Sequence, residues 1–299
     1  VNTFFRLADF WGGRDIWPKF IELYNSHYEI FRPDYKIESI YGIFPSMIWN
    51  GGRLTFSQLV PLQTAQDTID TYNSLGVPLA LNATNRNLTP DMMLDSYCNS
   101  IATMFDSNHM NYVIVGTAMV SDFFAEHYPN LKQVRSIMQT AGGVQTGDPN
   151  RYAISVMSRL RMMDKDYLCS FPEEERASIE LLCNDCCADH CTRIYDHYTA
   201  IDMQQLHIEI PAHCYTCTGY NMGRCDNASL VDANALYYLI TNHKRDKIIA
   251  PDDVKDFVSL GYNHFKLAGR NVPNAAVISG IYYMIDEKYW LDAIYYIFH

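Results

Sequence analysis

The chain has 299 residues, 48% of them hydrophobic and 19% charged, with a formal net charge of −11. That apolar share can bury one large core and excludes a disordered chain, while the acidic balance repels phosphate backbones and argues against generic nucleic-acid binding. No apolar run of membrane-spanning length occurs, and the opening VNTFFRLADFWGG lacks the apolar block of a secretory leader, so a cytoplasmic protein without a membrane span is expected.

In chain order, residues 11–31 are expected to form a covering helix, because Trp17, Phe20, Ile21, Tyr24 and Tyr28 fall on one stripe at three- and four-residue intervals. The β-branched and aromatic segment 35–44 is the first expected strand. Helices are then expected over 56–74, 90–107, 122–128 and 150–163, leading into strands at 78–83, 112–116, 133–138 and 167–171. A helical turn at 172–176 precedes a strand at 179–183. Beyond it come a helix around 230–241, a strand at 247–250, a helix at 252–260, a strand at 264–268 and two closing helices, 274–284 and 288–297. Eight strands, each followed by a helix or an insertion, predict an α/β fold, a parallel (β/α)8 TIM-like barrel forming one domain over 1–299. The beat fails once, over 184–229, where a cysteine-rich insertion leaves what counts as the sixth strand.

In such a barrel the loops after the strand carboxyl ends build the site. NGGR, NATNRN, GTAM, TAGG and the final GR all fall on that face. Asn50, Arg53 and Arg270 are the candidate substrate-binding residues, the two guanidiniums suiting an anion, and Gly51 and Gly52 permit backbone shapes that other residues resist. Lys36 and Glu38 on the first expected strand, and Glu180 on the sixth, are candidates for the barrel interior and for acid–base work.

Seven of the nine cysteines lie between Cys183 and Cys225, in LLCNDCCADHC and AHCYTCTGYNMGRC. Three residues separate Cys187 from Cys191, two separate Cys214 from Cys217, and Cys225 follows, spacings that let thiolates converge on one ion or cluster. Cys187, Cys191, Cys214, Cys217 and Cys225 are the candidate metal ligands, with Cys183 and Cys186 as neighbours. A [4Fe–4S] cluster takes four such thiolates, or three with an open iron; zinc takes the same four as a closed tetrahedron that staples the insertion. The CxxxCxxC spacing of radical chemistry is absent, since the third position is Ile194. His190, His197, His207, His213 and His243 lie in or near the insertion, His213 in HCYTC being the best placed. No HExxH, GxSxG or phosphate-binding loop occurs.

GYNHFKLAGR, preceded by KIIAPDDV, is similar to the closing strand pair of the U32 peptidase-like, collagenase-type family, where FKIEGR recurs. IELLCNDCC resembles that family's strand leading into its first cluster cysteines. FPSMIWNGGR, YPNLKQVRSI and the set Asn184, Cys187, Cys191, Arg193, His197 and Tyr198 resemble an uncharacterised branch of U32-like barrels. The resemblance implies a (β/α)8 barrel with four cysteine ligands to an iron–sulfur cluster, and oxygen-independent hydroxylation of RNA bases or ubiquinone precursors. Ala268 stands where the family usually has Glu. The function expected on this basis is an iron–sulfur oxidoreductase or hydroxylase acting on a small anionic substrate or nucleobase. The alternative is a zinc-stapled barrel that binds a protein partner or forms a homo-oligomer, and a metallopeptidase, resting on the family label alone, comes third.

Overall fold

The structure, a computed structural model, describes residues 1–52, 55–139, 151–158, 161–184, 194–209, 248–269 and 273–299. Eight parallel strands close on themselves: β1 (Thr3–Ala8), β2 (Tyr35–Gly42), β3 (Leu79–Ala83), β4 (Tyr112–Val115), β5 (Lys132–Arg135), β6 (Ile154–Val156), β7 (Ile179–Leu182) and β8 (His264–Lys266). β1 pairs with both β2 and β8, which seals the ring. This is the (β/α)8 barrel that the alternation of elements predicts.

The identities of the strands differ from expectation in two places. TFFRLA forms β1 because a strand covered on both faces needs no polar alternation, and a short continuous apolar run is what a parallel barrel stave looks like. Residues 150–163 hold no helix among those described; Ile154 and Val156, β-branched and buried, form β6. Residues 167–171 are not a strand. They begin within helix α5 (Lys165–Cys169), capped by Asp164, whose carboxylate accepts from Tyr167 N at 3.0 Å, and Tyr167 meets Phe171 edge-on at the helical spacing of four. At 247–250 the described residues contribute one isolated antiparallel bridge, Asn184 to Ile248, rather than a stave. The strand ending at Leu182 is therefore the seventh, and the insertion leaves β7 instead of a sixth strand.

The outer helices are placed by ordinary capping and by their apolar faces. Helix α1 (Trp17–Ser26), shorter than the 11–31 expected, carries proline in its first turn and buries Trp17, Phe20 and Ile21 of the stripe together with Leu23, while Tyr24 is half-buried and Tyr28 lies exposed beyond the helix. Helix α2 (Leu62–Ser74) starts later than expected, after irregular backbone at 55–61. Asp95 caps α3 (Ser96–Asp106) through Cys98 N, and Thr117 caps α4 (Ala118–His127) through Val120 N. A four-residue turn of helix, α6 (Glu173–Arg176), precedes β7, and helices Val254–Ser259, Pro273–Met284 and Trp290–Phe298 complete the described ring. No helix among the described residues is long and apolar enough to cross a membrane.

The strand amino ends enclose a charged floor. Arg6, fully buried, donates to Glu180 Oε1 at 2.7 Å, to Glu38 Oε2 at 3.0 Å and to Ser39 Oγ, and its guanidinium lies 5.0 Å from the Tyr112 ring centroid. A register shift in the β1–β2 pairing between Phe5 and Arg6 sets Arg6 opposite Ser39. His264 Nδ1 lies 3.0 Å from Glu38 Oε1, which brings the groups together without aligning a hydrogen bond. Glu38 and Glu180 thus point inward as expected. Lys36 does not: its ammonium donates to the Tyr28 hydroxyl at 3.0 Å near the surface, the register shift that passes over Glu38 having interrupted the two-residue alternation between them, and the interior cation is Arg6.

Candidate active site at the barrel mouth

At the opposite end, the strand carboxyl ends surround a cavity of about 140 Å³. Tyr41 comes from β2, Asn82 from β3, Ile114 from β4, Val156 from β6, Leu182 from β7 and Lys266 from β8, with Thr84, Ser136 and Met138 from the loops just beyond. Lys266 Nζ lies 4.1 Å from the Tyr41 ring centroid, a cation–π distance, and the Tyr41 hydroxyl donates to Leu267 O at 3.0 Å. The ring is held from both sides, and it positions the half-buried ammonium. Asn82-Ala-Thr84, a glycosylation-type tripeptide in sequence, is buried here, with Asn82 2% and Thr84 4% exposed.

Helix α7 (Ile194–Gln205) roofs this cavity. It follows β7, yet it is fastened to the loops after β2 and β3 on the far side of the ring, so it spans the mouth. Asp202 Oδ1 accepts from Gly52 N at 3.0 Å, and its Oδ2 accepts from Arg86 N at 3.2 Å and Arg86 Nε at 3.3 Å. Asn85 Nδ2 donates to Asp202 O at 2.9 Å, and Arg86 reaches Thr199 Oγ1 at 2.6 Å. One turn on, Gln205 accepts from Thr55 N and donates to Met47 O. Burial pushes the Asp202 carboxyl up to about 6, against the opposing pull of the Arg86 and Gly52 donors. Fastened this way, α7 presents His197 and Tyr198 to the cavity.

Two glycines make the fastening possible. A β-carbon on Gly51 would lie 2.5 Å from Thr84 O, so the loop after β2 touches the loop after β3 only without a side chain. Gly52 has φ +78°, the left-handed region, and that turn aims its N–H at Asp202. NGGR therefore serves as the seat for α7.

On β7 the chain reaches the mouth at Cys183, fully buried. Burial, with Glu180 adding to it, holds this thiol well above the ordinary range, as a neutral group rather than a thiolate. Asn184 then locks β8: its Oδ1 accepts from Ala268 N at 2.6 Å, while its Nδ2 donates to Ala268 O at 3.3 Å and Ser279 Oγ at 3.4 Å.

Of the residues singled out from sequence, Asn50 is buried in the loop after β2, where its amide donates to Thr55 Oγ1 at 3.3 Å, and it does not line the cavity. Arg53, Arg270, Cys187, Cys191, Cys214, Cys217 and Cys225 lie outside the described residues, as do Cys186, His190, His213 and His243. His197 reaches the cavity; His207 instead stacks on Phe56 with ring centroids 5.4 Å apart. Among the described residues no group of three or more His, Cys, Asp or Glu side chains is placed to hold a metal ion. Lys266, Tyr41, Ser136 and Asp202 lie outside the residues and loops singled out from sequence, whereas Asn82 opens the NATNRN expected on this face. Lys266 was visible inside FKLAGR, but the signal that it faces the mouth is its place at the end of β8, which the pairing supplies.

No family model and no curated protein sequence matches the chain. Among solved structures, that of the U32 peptidase Mk0906 is similar over 91% of this chain and 95% of its own, with a TM-score of 0.50 and 11% sequence identity. At that identity the likeness is one of fold. Over nearly its whole length, then, the chain has a (β/α)8 barrel like that of a U32 peptidase.

Proposed function

We propose that this barrel is an enzyme working in its mouth cavity, an iron–sulfur oxidoreductase or hydroxylase whose substrate is a small anion or nucleobase. The single observation that carries the reading is the roof: the helix that follows the cysteine-bearing residues 185–193 in sequence lies over a cavity that contains a half-buried lysine. The chain departs at Asn184 and returns at α7, and both anchor points are at the mouth. Cys187 follows one anchor by three residues and Cys191 precedes the other by three. On their spacing in sequence, the cluster ligands are assigned to Cys187, Cys191 and two of Cys214, Cys217 and Cys225.

A [4Fe–4S] cluster held there supplies one-electron transfer or an open iron for a substrate oxygen. The rest of the work falls to the barrel. Lys266 sets a positive charge against the substrate's negative end, His197 and Tyr198 are positioned to hold or pass a proton at the roof, and Ile114, Val156 and Leu182 keep water from the lower wall. Arg53 and Arg270 are assigned to substrate rather than metal, so replacing either is expected to lower activity and leave iron content unchanged.

Anaerobic purification followed by iron, sulfide and zinc analysis tests the reading. About four iron atoms per chain with broad absorption near roughly 400 nm is the expected result. A colourless protein with one zinc per chain would remove the redox reading and support the zinc-stapled binding protein.

A further inference from the structure

Exposed apolar side chains gather on the helix Trp290–Phe298, where Leu291 is 80% exposed, Tyr295 71% and Tyr296 50%. The helix packs on α1 and on the helix Pro273–Met284; its Ala293 and Ile297 are buried, and Trp290, Ile294 and Phe298 are half-buried beside them. At 100° per residue these five define the inner side, and Leu291, Asp292, Tyr295 and Tyr296 fall opposite. Apart from Asp292 the segment WLDAIYYIF is aliphatic or aromatic throughout. A helix apolar on all sides is one whose outer face is also covered.

We propose that a second copy of this chain covers it, the two helices lying antiparallel about a two-fold axis. The outer face is complementary to itself: Leu291 and Tyr296 stand equally far from the point between residues 293 and 294, and so do Asp292 and Tyr295. A two-fold axis through that point brings Leu291 against Tyr296 of the other copy, and the Asp292 carboxylate to the Tyr295 hydroxyl of the other copy, each contact made twice. It also sets Lys288, whose side chain is 64% exposed, beside the other helix's last turn, where unpaired carbonyls and the negative end of the helix dipole favour a cation. At these exposures the two faces and their flanks bury roughly 1,000–1,400 Å² in total, the low end for a specific interface, so the dimer is a reversible one. A lipid surface fits less well, since helices that lie in a bilayer interface are flanked by lysine and arginine, whereas Asp286, Glu287 and Asp292 accompany the single Lys288 here. The inference does not depend on the chemistry at the mouth.

Sedimentation velocity of the purified chain in reducing buffer, over about 1–100 μM, tests it. A monomer–dimer equilibrium with a Kd of roughly 1–30 μM is expected. Leu291→Glu is expected to raise that Kd at least about tenfold and to leave the melting temperature unchanged, the side chain being exposed. Asp292→Ala and Tyr295→Phe are each expected to weaken the dimer about tenfold, and the double variant no further than either, because each removes the same two hydrogen bonds. This pair keeps the test open should Leu291→Glu lose its melting transition. A monomer at every concentration, a dimer indifferent to Leu291→Glu, or additive effects of Asp292→Ala and Tyr295→Phe would overturn the proposal. So would a protein that stays monomeric and sediments with phosphatidylcholine vesicles unless Leu291 is replaced, a result that assigns the face to lipid.

Discussion

Arg6 shows how much one side chain can organise at the floor of a barrel. Two carboxylates, Glu38 and Glu180, are buried around it. Burial alone would lower the Arg6 pKa, but the two glutamates outweigh it and raise it. Removing one member of such a set leaves charge without compensation, so Arg6→Met is expected to destabilise the barrel by roughly 3–5 kcal/mol, measured by urea unfolding. A loss under about 1 kcal/mol would mean that the floor is not held by this cation. The same cluster gives a pH dependence. Burial pushes the Glu38 carboxyl up, but Arg6 and His264 overcome this and hold it below its ordinary value of 4.5. A carboxyl depressed in the folded state contributes stability above its unfolded value and loses it as pH falls through the folded one. The melting temperature should therefore drop in acid below that value, and in Glu38→Gln the drop should be smaller; an unchanged acid limb in the variant would contradict the assignment.

At the scale of elements, α7 is the part that roofs the cavity at the barrel mouth. Its latch, Asp202, has the opposite pH sign to Glu38. With a folded value near 6 against 3.8 for the free side chain, its contribution is fully present below 3.8 and is lost as pH rises through about 6. The roof is thus expected to seat more firmly at pH 5 than at pH 7. Hydrogen exchange of the α7 amides is the readout, because it separates the helix from the floor: protection should rise on acidification in the wild-type protein and stay flat in Asp202→Asn. Slower exchange at pH 7 than at pH 5, after correction for intrinsic rates, would contradict the latch. The elements also show what could be read in advance. The α1 stripe, the YVIV strand and the β7 strand were plain from periodicity and β-branching. TFFRLA and ISV were not, because a stave buried on both faces carries no alternation and three residues carry no period at all. Asp202 was hidden for a different reason: its partners Gly52, Asn85 and Arg86 are more than a hundred residues away in sequence.

For the molecule as a whole, the barrel could be read because its βα beat survives local errors. Counting 167–171 and 247–250 as staves and passing over Thr3–Ala8 and Ile154–Val156 still yields eight, so the architecture was right while the insertion was set one strand too early. The mouth followed from the architecture, since any stave's carboxyl end faces it. The cavity's own chemistry did not, because Lys266 and Tyr41 look in sequence like any strand residues and acquire their meaning only from ring closure. The five candidate ligand cysteines, Cys187, Cys191, Cys214, Cys217 and Cys225, are the reverse case, conspicuous in sequence and outside the described residues.

The central claim joins those cysteines to that mouth, and the iron-to-chain ratio of the Cys187→Ser, Cys191→Ser double variant, purified without oxygen beside the wild-type protein, tests it most directly. The account predicts that the ratio falls from about four to near zero while the far-ultraviolet dichroism of the barrel is kept. A double variant that retains the wild-type iron, or a wild-type protein that never held any, would contradict it.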